Sequence, residues 1–268
     1  MDREFAERLA FAHRLADAAG QVILPFFRQR IDVTEKAATC AGDFDPVTQA
    51  DRGAEEKIRA MIAEAYPDDA ILGEEYGEAP GTSGYRWVLD PVDGTRAFIA
   101  GQPMWGTLIA LEKNGQRVLG LLDQPFLRER FTGTSEGTEF LSARGSETLK
   151  TRPCATLSKA VINTTHPLAH FQPEERDQFF AVEAKARLSR YGGDCYSYAL
   201  LAMGFIDVVI EARLQTWDTA ALVPIVEGAG GVVSDWQGNS ITGGGNMLAC
   251  SDRRVHAEIL ALLAPARA

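Results

Sequence analysis

From Glu4 to about Arg28 the apolar residues Phe5, Leu9, Ala12, Ala16, Ala19, Ile23 and Phe26 recur every three or four positions, the repeat of one buried helical face. Pro25 lies inside that pattern and predicts a kink or a last turn there, because proline has no amide hydrogen to donate. Residues 31–46 lose the period: a short β-like piece precedes Ala-Thr-Cys-Ala-Gly-Asp-Phe-Asp-Pro, a run of turn formers that reads as a mobile loop. Thr48 or Asp51 then caps a second helix to about Ala65, with Ala54, Ile58, Met61, Ile62 and Ala65 on its buried side.

Beyond residue 66 the pattern changes to short apolar runs. Residues 70–72 end at Gly73-Glu74-Glu75-Tyr76-Gly77, and residues 86–89 end at Asp90, so two predicted strands deliver carboxylates at their ends. Segments 107–111, 117–122, 129–132 and 138–141 alternate with turns such as Asn114-Gly115, as in an antiparallel meander. The second half mixes the two periods: strands near 160–163, 187–191, 206–211, 231–235 and 247–249, and helices near 173–184, 194–203, 218–227 and 253–263. The pattern divides near residue 150, into an α+β half over 1–150 and an α/β half over 151–268.

Composition narrows the classes. The chain has 268 residues, 46% of them hydrophobic, enough for a sizeable core. Its 37 acidic against 27 basic residues leave a net charge of −10, which argues against general binding to nucleic acid or an anionic membrane. Cys40, Cys154, Cys195 and Cys250 are far apart with no C-x-x-C pair, suggesting neither a disulfide framework nor a zinc knuckle. The first residues carry no apolar leader and no run approaches bilayer length, so a cytoplasmic protein is expected.

Chemistry concentrates in Trp87-Val88-Leu89-Asp90-Pro91-Val92-Asp93-Gly94-Thr95. There an apolar strand meets two carboxylates, a glycine and a hydroxyl, with backbone amides free to face a phosphate. Glu74 and Asp218 also close apolar segments. Oxygen ligands gathered from separate strands suit Mg²⁺, which keeps part of its water shell and bridges acids to substrate phosphate.

With Gly73-Glu74-Glu75, Trp217-Asp218-Thr219-Ala220-Ala221 and Asp45-Pro46-Val47-Thr48-Gln49-Ala50-Asp51 in the same order, the chain resembles the inositol monophosphatase family of Mg²⁺-dependent phosphatases. The resemblance implies a layered αβαβα sandwich (α/β, of α+β type), a homodimer, and two or three Mg²⁺ per subunit. It places Glu74, Asp90 and the Val92 carbonyl on one ion, and Asp90, Asp93 and Asp218 on a second. It implies a water activated by metal and oriented by Glu74 and Thr95, with Asp51 supporting the threonine hydroxyl and no covalent enzyme intermediate. The segment from Lys36 to Phe44 stands where the family has a loop near a third metal position.

Thr95 to Leu111 and Tyr191-Gly192-Gly193-Asp194-Cys195-Tyr196-Ser197-Tyr198-Ala199 look most like the histidinol-phosphate phosphatase branch. The implied substrate contacts are Asp93, Gly94, Thr95 and Asp218 at the phosphate and Gly192, Asp194 and Glu211 at the alcohol. Two carboxylates there would meet the ammonium and imidazole of L-histidinol phosphate, whereas inositol has no cation to offer. An inositol-1-phosphate or broad sugar-phosphate phosphatase is the alternative, and a non-catalytic phosphate-binding relative a further one.

Plainer roles compete. Asp194 can cap the helix that starts beside it, Glu211 can be an exposed strand-end acid, and Glu75 reads as solvent-facing or supporting rather than a ligand. His166 and His170 bracket Pro167, which spoils a helix, so they read as loop residues rather than a zinc pair. Tyr196, Tyr198 and Trp105 fit a pocket, an interface or the core equally well.

Overall fold

The computed structural model describes residues 3–29, 33–35 and 46–263. The first apolar stripe forms α1 (Arg3–Ile23), which tightens into a 3-10 turn over Leu24–Phe26, as a proline at position 25 requires. Strands β1 (Val33–Glu35) and β2 (Pro46–Thr48) pair antiparallel ahead of α2 (Gln49–Ala65). The expected loop from Lys36 to Phe44 lies outside the described residues.

The large sheet opens with β3 (Ala70–Gly73), β4 (Gly77–Ala79) and β5 (Tyr85–Asp93), is interrupted by α3 (Thr95–Ile99), and continues as the predicted meander. The meander comprises β6 (Gly106–Lys113), β7 (Gln116–Gln124), β8 (Glu129–Thr134), β9 (Gly137–Ser142) and β10 (Gly145–Thr148). The order is β10-β9-β8-β7-β6-β5-β3-β4, antiparallel except between β3 and β5. β4 and β10 were not expected; at three and four residues, with β10 wholly exposed, they are too short to show an alternation. β5 runs through Pro91 to Asp93 rather than stopping at Asp90.

The small sheet is built from β11 (Val161–Thr164), α4 (Pro167–His170), α5 (Pro173–Glu183), β12 (Leu188–Tyr191), α6 (Tyr196–Ala202) and β13 (Val208–Leu214). It closes with α7 (Thr216–Ala220), α8 (Leu222–Gly228), β14 (Val232–Ser234), β15 (Gly245–Cys250) and α9 (Arg253–Leu263). Its order is β12-β11-β13-β15-β14, parallel across the first three strands. The single helix expected over 218–227 is two, joined at Ala221; Pro224 cannot donate back to the carbonyl of residue 220, so the ladder breaks. Pro167 starts α4 instead of spoiling it, being in the first turn, where no donor is needed. His166 caps that turn, its Nδ1 accepting the Ala169 N–H at 3.1 Å.

The layers follow from which faces are apolar. α1 and α2 cover one face of the large sheet around Leu15, Ile58, Trp87 and Ile109. α6 and α8 lie between the sheets in a core shared by Val88, Phe131, Val209, Ile225 and Met247, and α5 and α9 cover the far face with Phe179, Leu248 and Ile259. This is the αβαβα sandwich. β5 is buried on both faces, which is why Trp87, Val88 and Leu89 form an unbroken apolar run. Arg8 of α1 ties its start down, donating to both oxygens of Asp69 at 3.0 and 2.9 Å while Asp69 also accepts from Trp87 Nε1 at 3.0 Å.

Between the sheets the packing is backbone on backbone. Val88, Ala110, Gly120, Gly133 and Thr138 stand side by side across five strands, and α8 lies along this shallow row. A Cβ on Gly120 would overlap the Ala221 carbonyl and come 2.8 Å from its carbon, and one on Gly133 would overlap the backbone of Pro224 and Ile225. Thr138 fastens the row's end, its hydroxyl donating to the Ile225 carbonyl at 2.7 Å.

Candidate active site

β5 brings Asp90 and Asp93 together by breaking its own alternation. Asp90 faces Leu108 and Asp93 faces Gly106, so β5 contains one residue more than β6 over that stretch. Two side chains three apart in a regular strand point to opposite faces; the bulge turns both to one side. Gly94 follows at φ 83°, where any Cβ would also come 2.9 Å from the Met104 carbonyl oxygen and 3.0 Å from Asp194 Cβ. Only glycine meets both demands.

Asp218 arrives from the small-sheet side in α7. Its Oδ2 accepts the Gln215 N–H at 2.7 Å, capping the helix that carries it. The next residue anchors that helix: the Thr219 hydroxyl donates to the Gly243 carbonyl at 2.8 Å and accepts from Arg117 of β7 at 3.0 Å. Carboxylate oxygens of Asp90, Asp93 and Asp218 lie within 4.8 Å of one another. Glu74 stands on the turn after β3, its N–H donating to the Leu89 carbonyl at 3.2 Å. The amides of Glu75 and Tyr76 donate to Glu55 of α2 at 2.8 and 3.2 Å. Glu75 is not solvent-facing, since its side chain is buried and lies 3.5 Å from Arg52.

Charge is uncomfortable here. Burial, then Glu74, Asp93, Asp218 and Asp51, hold the Asp90 carboxyl well above its usual range. Burial also raises Asp93, opposed by hydrogen bonding from Cys195, whose N–H donates to Asp93 Oδ2 at 2.8 Å. Asp90 Oδ1 is buried with no hydrogen-bond partner among the described residues. A divalent cation fits this set, supplying both the missing partner and the counter-charge. Thr95 Oγ1 donates to the Val92 carbonyl at 3.1 Å, and Asp51 is buried in the first turn of α2.

The opposite wall carries two more acids. β13 bulges as β5 does: Glu211 faces Met247 while Leu214 faces Gly245. Glu211 is 3% exposed, so it is not an ordinary surface acid. It accepts from the Thr165 N–H at 2.6 Å, the Thr165 hydroxyl at 2.8 Å and the Thr164 hydroxyl at 3.3 Å. Burial pushes it to about 7 against those hydrogen bonds. Asp194 sits at φ 41°, a left-handed conformation that aspartate tolerates better than most residues. It does not cap α6: the cap is Cys195, with no side-chain hydrogen bond. Burial, then Asp93 and Glu211, push Asp194 to about 8, opposed by Arg96.

One cavity of about 270 Å³ is lined by Glu74, Asp90, Val92, Asp93, Gly94, Thr95, Asp194, Glu211 and Asp218. Asp51 and Gly192 are not among its lining residues; Gly192 closes a turn after β12, its N–H shared by the carbonyls of Thr164 and Thr165 at 3.1 and 2.9 Å. Arg96, Thr165, His170, Tyr198 and Trp217 line it too, and Arg96 meets His170 across the rim. Three of these have a local signal: Arg96 directly after Gly94-Thr95, Trp217 directly before Asp218 in the quoted motif, and Tyr198 as a candidate pocket aromatic. Thr165 and the placement of His170 come from the fold.

The sandwich, with a carboxylate cluster and an amide-bearing turn between its sheets, is that of a phosphoric monoester hydrolase, a class whose members of this build are generally metal-dependent. The chain belongs to the inositol monophosphatase family, which it matches over residues 4–267. It is 41% identical to the bifunctional phosphatase IMPL2, chloroplastic, of Arabidopsis thaliana over 97% of this chain and 75% of that one. It is 38% identical to a histidinol-phosphatase of Chlorobaculum parvum over 86% of each chain. A solved inositol monophosphatase from Zymomonas mobilis superposes with a TM-score of 0.85 at 41% identity, covering 98% of this chain and 99% of that one.

Proposed function

We propose that this protein is a Mg²⁺-dependent phosphatase acting on L-histidinol phosphate in histidine biosynthesis. The observation that carries the substrate is the buried pair Asp194 and Glu211, in the same cavity as the Asp90, Asp93 and Asp218 cluster. Burial makes their ionised forms costly, so they favour a ligand that brings a positive charge. The likeness to a histidinol-phosphatase supports the same reading.

In this reading Glu74, Asp90 and the Val92 carbonyl hold one Mg²⁺, and Asp90, Asp93 and Asp218 a second, with two or three ions per subunit. Bound there, the ions supply charge against the phosphate and make water a better nucleophile at neutral pH. Glu74 and Thr95 orient the attacking water, Asp51 supports the Thr95 hydroxyl, and the amides of Gly94 and Thr95 hold phosphate oxygens. Asp194 and Glu211 hold the ammonium and imidazole, with Gly192 at the edge of that subsite, and no residue is modified covalently. The enzyme is cytoplasmic and a homodimer in this proposal; among the described residues no helix is long and apolar enough to cross a membrane, and light scattering would give the mass in solution.

Phosphate release from L-histidinol phosphate, inositol-1-phosphate, fructose-1,6-bisphosphate and 3′-phosphoadenosine 5′-phosphate, with Mg²⁺ and with EDTA, tests the proposal. Catalytic efficiency should be highest on histidinol phosphate and vanish with EDTA. Inositol-1-phosphate is the second reading, favoured by the likeness to the Zymomonas mobilis enzyme; a tenfold preference for it would displace the first.

Glu211→Gln should raise KM for histidinol phosphate roughly ten- to a hundredfold, the range for a charge-assisted hydrogen bond, and leave inositol-1-phosphate within about threefold. Because burial pushes Glu211 and Asp194 above the usual carboxylate range, the ionised pair accumulates as pH rises from mildly acidic towards alkaline. The wild-type KM for the cationic ester should fall across that range, and the fall should be shallower in the variant. Equal losses on both esters would remove Glu211 from substrate selection.

A further inference from the structure

Tyr198 lines the cavity, and the mechanism gives it no task. It lies in the first turn of α6, three residues beyond the capping Cys195. This start of the helix meets the site: Cys195 holds Asp93 through its N–H, and Asp194, Cys195 and Tyr198 line the cavity. The Tyr198 side chain is 2% exposed, and its hydroxyl has no hydrogen-bond partner among the described residues. Two positions earlier, Tyr196 bonds Glu129 through its hydroxyl. A buried, unpaired hydroxyl costs about 1–3 kcal/mol, and phenylalanine would fill the same space without that cost. Core packing alone therefore does not account for a tyrosine.

Its neighbours indicate what completes the bond. Burial first, then the charges of Glu211, Asp93 and Asp218, keep the phenol protonated. Tyr198 thus lines the cavity with a neutral hydroxyl that has a hydrogen bond still to make, in the same cavity as Glu211, Asp93 and Asp218. We infer that the Tyr198 hydroxyl binds the alcohol half of the phosphate ester, its oxygen accepting from an N–H or O–H group of the alcohol beside Glu211. This rests on the cavity being the phosphatase site. It makes Tyr198 a specificity-determining residue with no part in the attack on phosphorus, and it selects esters whose alcohol carries a polar group near the ester oxygen over plain aryl esters.

The test is Tyr198→Phe, assayed with histidinol phosphate, inositol-1-phosphate and phenyl phosphate, each with Mg²⁺ and with EDTA, beside the melting temperature of the ligand-free protein. KM for the preferred polar ester should rise roughly five- to tenfold, as for loss of one hydrogen bond, with kcat within about twofold. Both constants for phenyl phosphate should be unchanged, and melting should be no lower, because the hydroxyl leaves no partner behind. An unchanged KM for the polar ester, an equal rise for phenyl phosphate, or a lower melting temperature would overturn the inference and make Tyr198 a core residue. EDTA-resistant wild-type turnover would overturn the reading of the site and the inference with it. EDTA-sensitive wild-type turnover with an indifferent variant would overturn the inference alone.

Discussion

Replacing Asp93 with asparagine is expected to lower Mg²⁺-dependent turnover of every ester about a thousandfold or more while the protein stays folded. Losing a partner that merely orients a metal ligand typically lowers affinity or activity about 10–100-fold, and Asp93 is proposed to act at the ion itself. Asparagine has the same shape and can still accept the Cys195 N–H that Asp93 accepts at 2.8 Å, so the contact between β5 and the start of α6 survives. Turnover at saturating Mg²⁺ and a Mg²⁺ titration of the melting temperature together check this. Mg²⁺ should raise wild-type melting, as a ligand of the native state does, and raise the variant's less. Near-normal turnover would remove Asp93 from the ligand set.

The same substitution changes the pH dependence of the metal-free protein. Burial raises Asp93, and burial with the neighbouring acids raises Asp90 further. A carboxyl whose folded value lies above its unfolded one favours the native state while protonated, and that contribution is lost as pH climbs from the unfolded value through the folded one. Metal-free wild type should therefore lose stability from mildly acidic towards alkaline pH, and Asp93→Asn should lose less.

Gly120→Val is expected to abolish folding. The row Val88, Ala110, Gly120, Gly133, Thr138 is the seat of α8, and at Gly120 even a methyl group overlaps the Ala221 carbonyl. Overpacking of side chain on side chain costs about 1–3 kcal/mol because side chains can turn aside. A helix backbone cannot, and separating α8 from the sheet would open the core shared by Phe131, Val209 and Ile225. Against a total stability of about 5–15 kcal/mol, little or no soluble protein should remain. A folded variant melting within a few degrees of wild type would show that α8 does not rest on this row.

What the chain's pattern reveals depends on how local the cause is. Asp90, Asp93 and Gly94 are legible because strand, carboxylates and turn are contiguous, and Asp218 because it closes an apolar segment within Trp217-Asp218-Thr219-Ala220-Ala221. Glu211 and Asp194 could be named through the family resemblance, but their competing plain roles fell only to burial and to the Cys195 cap. Arg8 with Asp69, Arg117 with Thr219, and Arg96 with His170 join residues 61, 102 and 74 positions apart, and nothing near either partner announces the other. The split between α7 and α8 was readable in principle from Pro224; the apolar period ran on across it and concealed the break.

Both acid walls stand on strands with one residue more than their neighbours, β5 at Asp90 to Asp93 and β13 at Glu211 to Leu214. Specification here is partly arithmetic. A deletion of one residue between Asp90 and Asp93 would restore a regular strand that the sheet could accept, since the two ladders would then agree in length. The two carboxylates, then two apart, would still share a face, but without the bulge that sets their spacing and the entry into Gly94. A chain changed in this way would keep its hydrophobic pattern and move the carboxylates against one another, so in the proposed site the length at these two points matters as well as residue identity.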